Sequence, residues 1–249
     1  MHVAINKACH RTALRFTTLP RTHPLTPYVC HAATTCPQKL ASPLHHIMDA
    51  CNFHPDNIET INPVCQTPKW QLNFKIHIPP SKEAAILEDN DTAFIKIYSD
   101  SSGIEGNIGA SAVLYCWKNG MTTKRVLHYC LGPDTRHTVY EGEVVGEIMA
   151  QQLLYTEPHG FGHRVSMYVD NQASILSTQS IKPTPGHYLL DALHNKVSHT
   201  KEKFRNIDIT VRWIPSHLEV EGNEEADRQA KRAAKGNTDS PLHRLPNKL

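Results

Sequence analysis

Residues 94–131 read FIKIYSDSSGIEGNIGASAVLYCWKNGMTTKRVLHYCL. Apolar and β-branched residues gather there in three runs separated by turn chemistry, and that pattern decides the fold. Residues 94–98 form a short strand that closes on Ser99 and Asp100. Gly103, Gly106 and Gly109 mark a turn, residues 110–117 a second strand, and Lys118-Asn-Gly120 a hairpin signal before a third strand at 123–131.

Downstream the period changes. Over 138–155, Tyr140, Val144 and Ile148 make one stripe and Val145, Met149 and Leu153 its neighbour, which predicts a helix. Residues 164–169 predict a fourth strand ending in Asp170, followed by a short helix over 172–177. Pro183 and Pro185 break the chain before a helix from about 187 to 203. A fifth strand at 207–213, a loop through Pro215 and His217, and a last helix over 223–235 complete the pattern. An antiparallel meander followed by alternating strands and helices predicts an α/β domain: a five-stranded mixed sheet, its first three strands antiparallel, flanked by helices.

Upstream the chain differs in character. The first 48 residues hold no Asp or Glu but carry Lys7, Arg11, Arg15, Arg21 and Lys39. Residues 5–19 predict a helix ended by Pro20, followed by an irregular proline-containing stretch. An acid-poor, Arg-bearing start also suits a mitochondrial transit peptide. Pro55, Pro63, Pro68, Pro79 and Pro80 forbid long helices over 50–93. Within that linker Leu72, Phe74, Ile76 and Ile78 alternate with polar residues, as in a half-buried strand. The expected organisation is a poorly structured N-terminal extension over 1–92, a folded domain over 93–236 and a disordered tail over 237–249.

The formal net charge is +2, and residues 96–235 carry 16 basic against 16 acidic side chains. A nucleic-acid binder with that balance must segregate an acidic pocket from basic rims. Seven cysteines in no scaffold spacing point to a reducing, intracellular compartment, nuclear or cytoplasmic, with the mitochondrion as the other destination. No apolar run reaches membrane-spanning length, so no membrane partner is expected. Cys30, His31, Cys36, Cys51, His54 and Cys65 lack the paired spacings of a zinc module.

Asp100 and Asp170 each end a strand. If those strands are neighbours, the two carboxylates emerge together at one edge of the sheet. Repulsion would then leave one of them protonated unless a divalent cation resolved the conflict, and oxygen ligands suit Mg²⁺ or Mn²⁺. Glu143 flanks the apolar stripe of the first long helix, with Glu141 and Glu147 competing for its place. Asp227 sits near the start of the last helix beside Ala226, Ala230 and Ala233, a face narrow enough to bring the helix close to the sheet. Each acid alone has a bland reading as a cap, a turn or a solvated face.

Four segments carry a resemblance: Ile97-Tyr-Ser-Asp100-Ser-Ser-Gly103, Thr138-Val-Tyr-Glu-Gly-Glu143, Tyr168-Val-Asp170-Asn-Gln-Ala-Ser174, and Trp213-Ile-Pro-Ser-His217 through Gly222-Asn-Glu-Glu-Ala-Asp227. Together they resemble the signature blocks of type 1 ribonuclease H, most of all the versions in reverse transcriptases of fungal non-LTR retrotransposons. The resemblance implies a ribonuclease-H-like fold and an endonuclease that hydrolyses the RNA strand of RNA–DNA hybrids with two Mg²⁺ ions. It implies Asp100, Glu143, Asp170 and Asp227 as metal ligands, with His217 assisting proton transfer or product release. Ser101 departs from the family, which usually has Gly after the first aspartate.

Candidate hybrid contacts are Ser101, Ser102, Asn107, Asn171, Gln172, Lys196 and Lys203, and no small-molecule cofactor and a monomer are expected. Residues 14–72 more faintly resemble the connection between polymerase and ribonuclease H in those elements, while a polymerase Tyr-x-Asp-Asp motif is absent. The alternative is an inactive nucleic-acid-binding module of the same descent.

Overall fold

The computed structural model describes residues 2–19, 21–35, 41–55, 58, 71–88, 92–118, 120–157, 163–182, 184–216 and 220–238. The chain divides into two units, one built almost wholly from residues before 66 and one from most of the remainder.

The first unit holds α1 (His2–Thr17), α2 (Thr26–Thr34) and α3 (Pro43–Cys51). Helix α1 covers the predicted helix only as far as Thr17 and begins earlier, at His2. In the proline-containing stretch that follows, prolines open α2 and α3, because their missing N–H falls in a first turn that needs no donor. Ser42 caps α3 by accepting from the His45 N–H, and Asn52 ends it in the left-handed conformation (φ 51°). Val29, Ala32 and Met48 form a small core.

The second unit is a six-stranded mixed sheet with helices on both faces. Its elements are β1 (Lys75–His77), α4 (Lys82–Glu88), β2 (Ile95–Ile104), β3 (Asn107–Lys118), β4 (Met121–Pro133), α5 (Val139–Tyr155), β5 (Arg164–Val169), α6 (Gln172–Ser177), α7 (His187–Lys203), β6 (Asp208–Trp213) and α8 (Glu221–Ala234). The strand order is β1-β6-β5-β2-β3-β4. Strands β2, β3 and β4 are antiparallel, as expected, while β1, β6, β5 and β2 are parallel neighbours. The expectation of five strands is corrected to six. The apolar alternation around Ile76 belongs to β1, which pairs with β6 in the register Ile76↔Val211 and buries Phe74 against the main core.

The meander also differs in detail. Strand β2 does not stop at Asp100 but continues to Ile104, paired throughout with β3. Of the three glycines read as a turn, only Gly106 turns the chain: Glu105 and Gly106 have φ of 54° and 77°, the left-handed pair of a two-residue hairpin. Gly109 instead lies in β3 beneath α8, where a Cβ would run into the Ala230 carbonyl and the Ala234 N–H.

Helices α5 and α7 cover one face, burying Val144, Val145, Ile148, Leu189, Leu193 and Val197 with Ile95, Ile97 and Val165. Helix α8 crosses β2, β3 and β4 on the other face. Its Ala226, Ala230, Ala233 and Ala234 are fully buried, so the alanine face brings the backbones close, and the Ser111 hydroxyl donates to the Ala226 carbonyl at 2.6 Å. The helix begins at Glu221, earlier than expected, so Asp227 lies in its second turn.

Among the described residues no helix is long and apolar enough to cross a membrane. Cys9, Cys30, Cys51, Cys116 and Cys130 are free thiols.

Candidate metal centre

Strands β2 and β5 are parallel neighbours in the register Ser99↔Val169, so Asp100, still within β2, and Asp170, just past the end of β5, come side by side. Helix α5 supplies the third acid. Its first turn is fixed by a capping box: the Thr138 hydroxyl accepts from the Glu141 N–H, and the Glu141 carboxylate accepts from the Thr138 N–H at 2.6 Å. Glu141 is therefore the cap residue. Two residues on, Glu143 is 5% exposed and turned to the sheet. One turn further, Glu147 is fully buried and bonded to Ser174. The three glutamates of one helix thus have three different surroundings, and Glu143 is the one that meets the aspartates.

Asp100, Glu143 and Asp170 each offer an oxygen atom, and these oxygens lie within 4.8 Å of one another. Burial first, and then the Asp170 carboxylate beside it, push the Asp100 carboxyl up to about 8, although the Ser101 N–H donates to its Oδ1 at 2.7 Å. Burial first, followed by Asp170 and Asp100, likewise holds the Glu143 carboxyl well above the ordinary range. Glu143 Oε1 accepts from the Ser101 hydroxyl at 2.7 Å, whereas its buried Oε2 has no hydrogen-bond partner. Three clustered acids, one with an orphaned buried oxygen, fit a divalent cation: it would partner the orphan and cancel the repulsion that keeps protons on the group.

Asp227 stands just outside this group. Its Oδ2 accepts from Lys231 at 2.6 Å, one turn along α8, and its charge still acts on Asp100. The i,i+4 spacing of Asp227 and Lys231 is the sequence signal for that pair. His217 lies outside the described residues.

The other candidate residues are dispersed. Ser101, half-buried, has its hydroxyl on Glu143 and near the Val139 carbonyl. The space for it comes from Gly142, where a Cβ would sit 2.8 Å from that of Ser101. Ser102 and Asn107 flank the β2–β3 hairpin. Asn171 is the N-cap of α6, accepting from the Ala173 and Ser174 N–H groups at 2.9 and 3.3 Å, and Gln172 beside it is exposed. Lys196 is a half-buried residue of α7. Lys203 donates to the Tyr155 carbonyl at 2.6 Å and lies over the Tyr155 ring. It therefore sits at the end of α5 remote from Glu143, about 18 Å along the helix axis at the usual rise per residue.

No family model and no curated protein matches the chain. Among solved structures it is similar to LC9-RNase H1, described as a type 1 RNase H with the type 2 active-site motif (20% identity, 59% of this chain and 75% of that one, TM-score 0.45). It is also similar to LC11-RNase H1 in complex with an RNA/DNA hybrid (19%, 57% and 97%, TM-score 0.43). RNase H1 from the halophilic archaeon Halobacterium salinarum is a third such structure (18%, 57% and 98%, TM-score 0.40).

Proposed function

We propose that residues 93–236 act as an endonuclease that hydrolyses the RNA strand of RNA–DNA hybrids, with two Mg²⁺ ions, or Mn²⁺ in their place, held by Asp100, Glu143, Asp170 and Asp227. The observation that carries this reading is the convergence of three acids from β2, α5 and the end of β5 around one orphaned carboxylate oxygen. The order of the four sequence segments, which follows the blocks of type 1 ribonuclease H, supports it independently. Bound divalent ions would activate a water and stabilise the leaving oxygen.

The chain's own groups have distinct tasks. Ser101 holds the Glu143 carboxylate through one hydrogen bond. Asp100, beside Glu143 and Asp170, would hold both ions, as the resemblance implies. Asp227 would be a further ligand in exchange for its contact with Lys231. His217 would assist proton transfer or product release. The hybrid lies over the β2–β3 hairpin and the start of α6, with Ser102, Asn107, Asn171 and Gln172 along it and Lys196 contributing charge, and 2′-hydroxyls distinguish the RNA strand. The protein works as a monomer in the nucleus or cytoplasm, without a small-molecule cofactor, and descends from a retrotransposon whose connection region left residues 1–92.

The test is cleavage of a uniform labelled hybrid with Mg²⁺, beside duplex RNA and duplex DNA. The hybrid alone should be cut, EDTA should stop the cutting, and Asp100→Asn should show none. Equal cleavage by Asp100→Asn and the unaltered chain would remove the metal reading. The Lys231 contact that keeps Asp227 outside the group favours a second reading, a hybrid-binding module without turnover. Hybrid binding without cleavage in Mg²⁺ and Mn²⁺ would select it.

A further inference from the structure

Glu147 has no part in the carboxylate group, yet it is the most deeply buried acid of α5. Its exposure is 0%, as is that of Ser174 across from it on α6. Glu147 Oε1 lies 2.9 Å from the Ser174 Oγ, and that Oγ lies 3.0 Å from the Asn171 carbonyl oxygen. Asn171 is the N-cap of α6 and follows Asp170 directly. A continuous polar path therefore runs from α5, one turn beyond Glu143, through Ser174 to the turn that carries Asp170.

We propose that Glu147 is a positioning residue for the carboxylate group: through Ser174 it ties the α6 cap to α5 and so fixes Asp170 against Glu143 and Asp100. This rests on the metal reading of that group for its consequence, but the tie itself does not.

Three observations carry it. First, α6 is only six residues long and cannot hold its own orientation by helical hydrogen bonds alone. Its attachments include the buried Ile175, the Glu147–Ser174 contact and the Tyr140 hydroxyl on Ser177 Oγ at 2.9 Å. The Glu147 contact reaches its N-terminal turn, next to Asp170, whose carbonyl also accepts from the Trp213 indole N–H at 2.9 Å. Second, a serine hydroxyl has one proton. Both Glu147 Oε1 and the Asn171 carbonyl accept from that one hydroxyl, so Ser174 joins the acid of α5 and the α6 cap at a single point. Third, the contact is shut off from water: Glu147 is completely buried, and burial pushes its carboxyl up to about 7 while the Ser174 bond draws it down.

The test uses the whole chain and three substitutions: Glu147→Gln, which keeps an acceptor oxygen in the same shape, Glu147→Leu, which removes it, and Ser174→Ala, which removes the middle of the path with little change in volume. Two quantities are read. Amide hydrogen exchange at Ala173 and Ser174, whose N–H groups are held by the Asn171 cap, reports the tie in metal-free protein. Mn²⁺ titration by calorimetry reports its consequence. Glu147→Leu and Ser174→Ala should speed exchange at those amides and weaken Mn²⁺ binding by about 10- to 100-fold, the usual range for partners that orient metal ligands. Glu147→Gln should restore both to near the unaltered level. Unchanged exchange in Glu147→Leu and Ser174→Ala would overturn the proposal whatever happens to Mn²⁺, and so would a Glu147→Gln protein as impaired as Glu147→Leu. If Glu147→Leu does not fold, Ser174→Ala decides alone. A failure of the metal reading looks different: the unaltered chain and Asp100→Asn would then bind Mn²⁺ equally poorly, while the exchange measurement would still decide the tie.

Discussion

The hydroxyl of Ser101 lies 2.7 Å from Glu143 Oε1, so the residue after the central aspartate serves the glutamate of another element. The side chain at this position, which departs from the glycine usual in the family it resembles, does not crowd the carboxylate group but supplies it with a donor. The Ser101 bond also draws the Glu143 carboxyl down against its burial. Ser101→Ala should therefore raise the pH needed for divalent-ion binding, with a loss of about 1.5–3 kcal/mol as for a hydrogen bond to a charged group. Calorimetric Mn²⁺ titrations at several pH values check this, and an unchanged pH dependence would refute it.

Metal-free protein should lose stability as the pH rises. The Asp100 carboxyl is raised from 3.8 to about 8 in the fold. Between those values the folded state keeps a proton that the unfolded chain has released, so folding takes up a proton and weakens with increasing pH. Melting temperatures in EDTA should fall over that window. Asp100→Asn should flatten the slope, and saturating Mg²⁺ should abolish it. A slope of opposite sign would show that the group is not the repulsive cluster described.

Asp227 and Asp100 should behave differently in titrations. Because Asp227 bonds Lys231 and is not one of the three clustered acids, Asp227→Asn should leave the affinity of the first Mn²⁺ ion nearly unchanged and lower the number of ions bound. Asp100→Asn should remove the first ion as well. Equal loss from both substitutions would mean that Asp227 belongs to the first site.

Gly109→Ala tests how α8 is seated. The added methyl group meets backbone atoms of Ala230 and Ala234, which no rotamer change can relieve. Overpacking of this kind costs about 1–3 kcal/mol, and occasionally more. Urea unfolding should show that loss, and Gly103→Ala, where the nearest atom is 3.4 Å away on a side chain, should show far less.

Much of this arrangement is legible in the chain itself because two periodicities carry it. The stripe of Tyr140, Val144 and Ile148 specifies α5, and the alternation in residues 94–131 specifies the meander. A strand end singles out Asp170, whereas Asp100, read as a strand end, lies within β2. What could not be read depends on register and on tertiary partners. Gly109 looks like a turn glycine until α8 lies over it, and Glu141, Glu143 and Glu147 are alike until a cap, a cluster and a serine distinguish them. The segment around Ile76 has a clear strand pattern, but nothing local says that β6 is its neighbour.

That neighbour has a practical consequence for handling the protein. A fragment begun at residue 93 would lack β1 and leave β6 with a bare row of N–H and C=O groups beside apolar side chains no longer covered by Phe74 and Ile76. Open parallel edges of that kind recruit strands from other molecules. Such a fragment should self-associate and precipitate, while one begun before Leu72 should stay dispersed, although the carboxylates are the same in both.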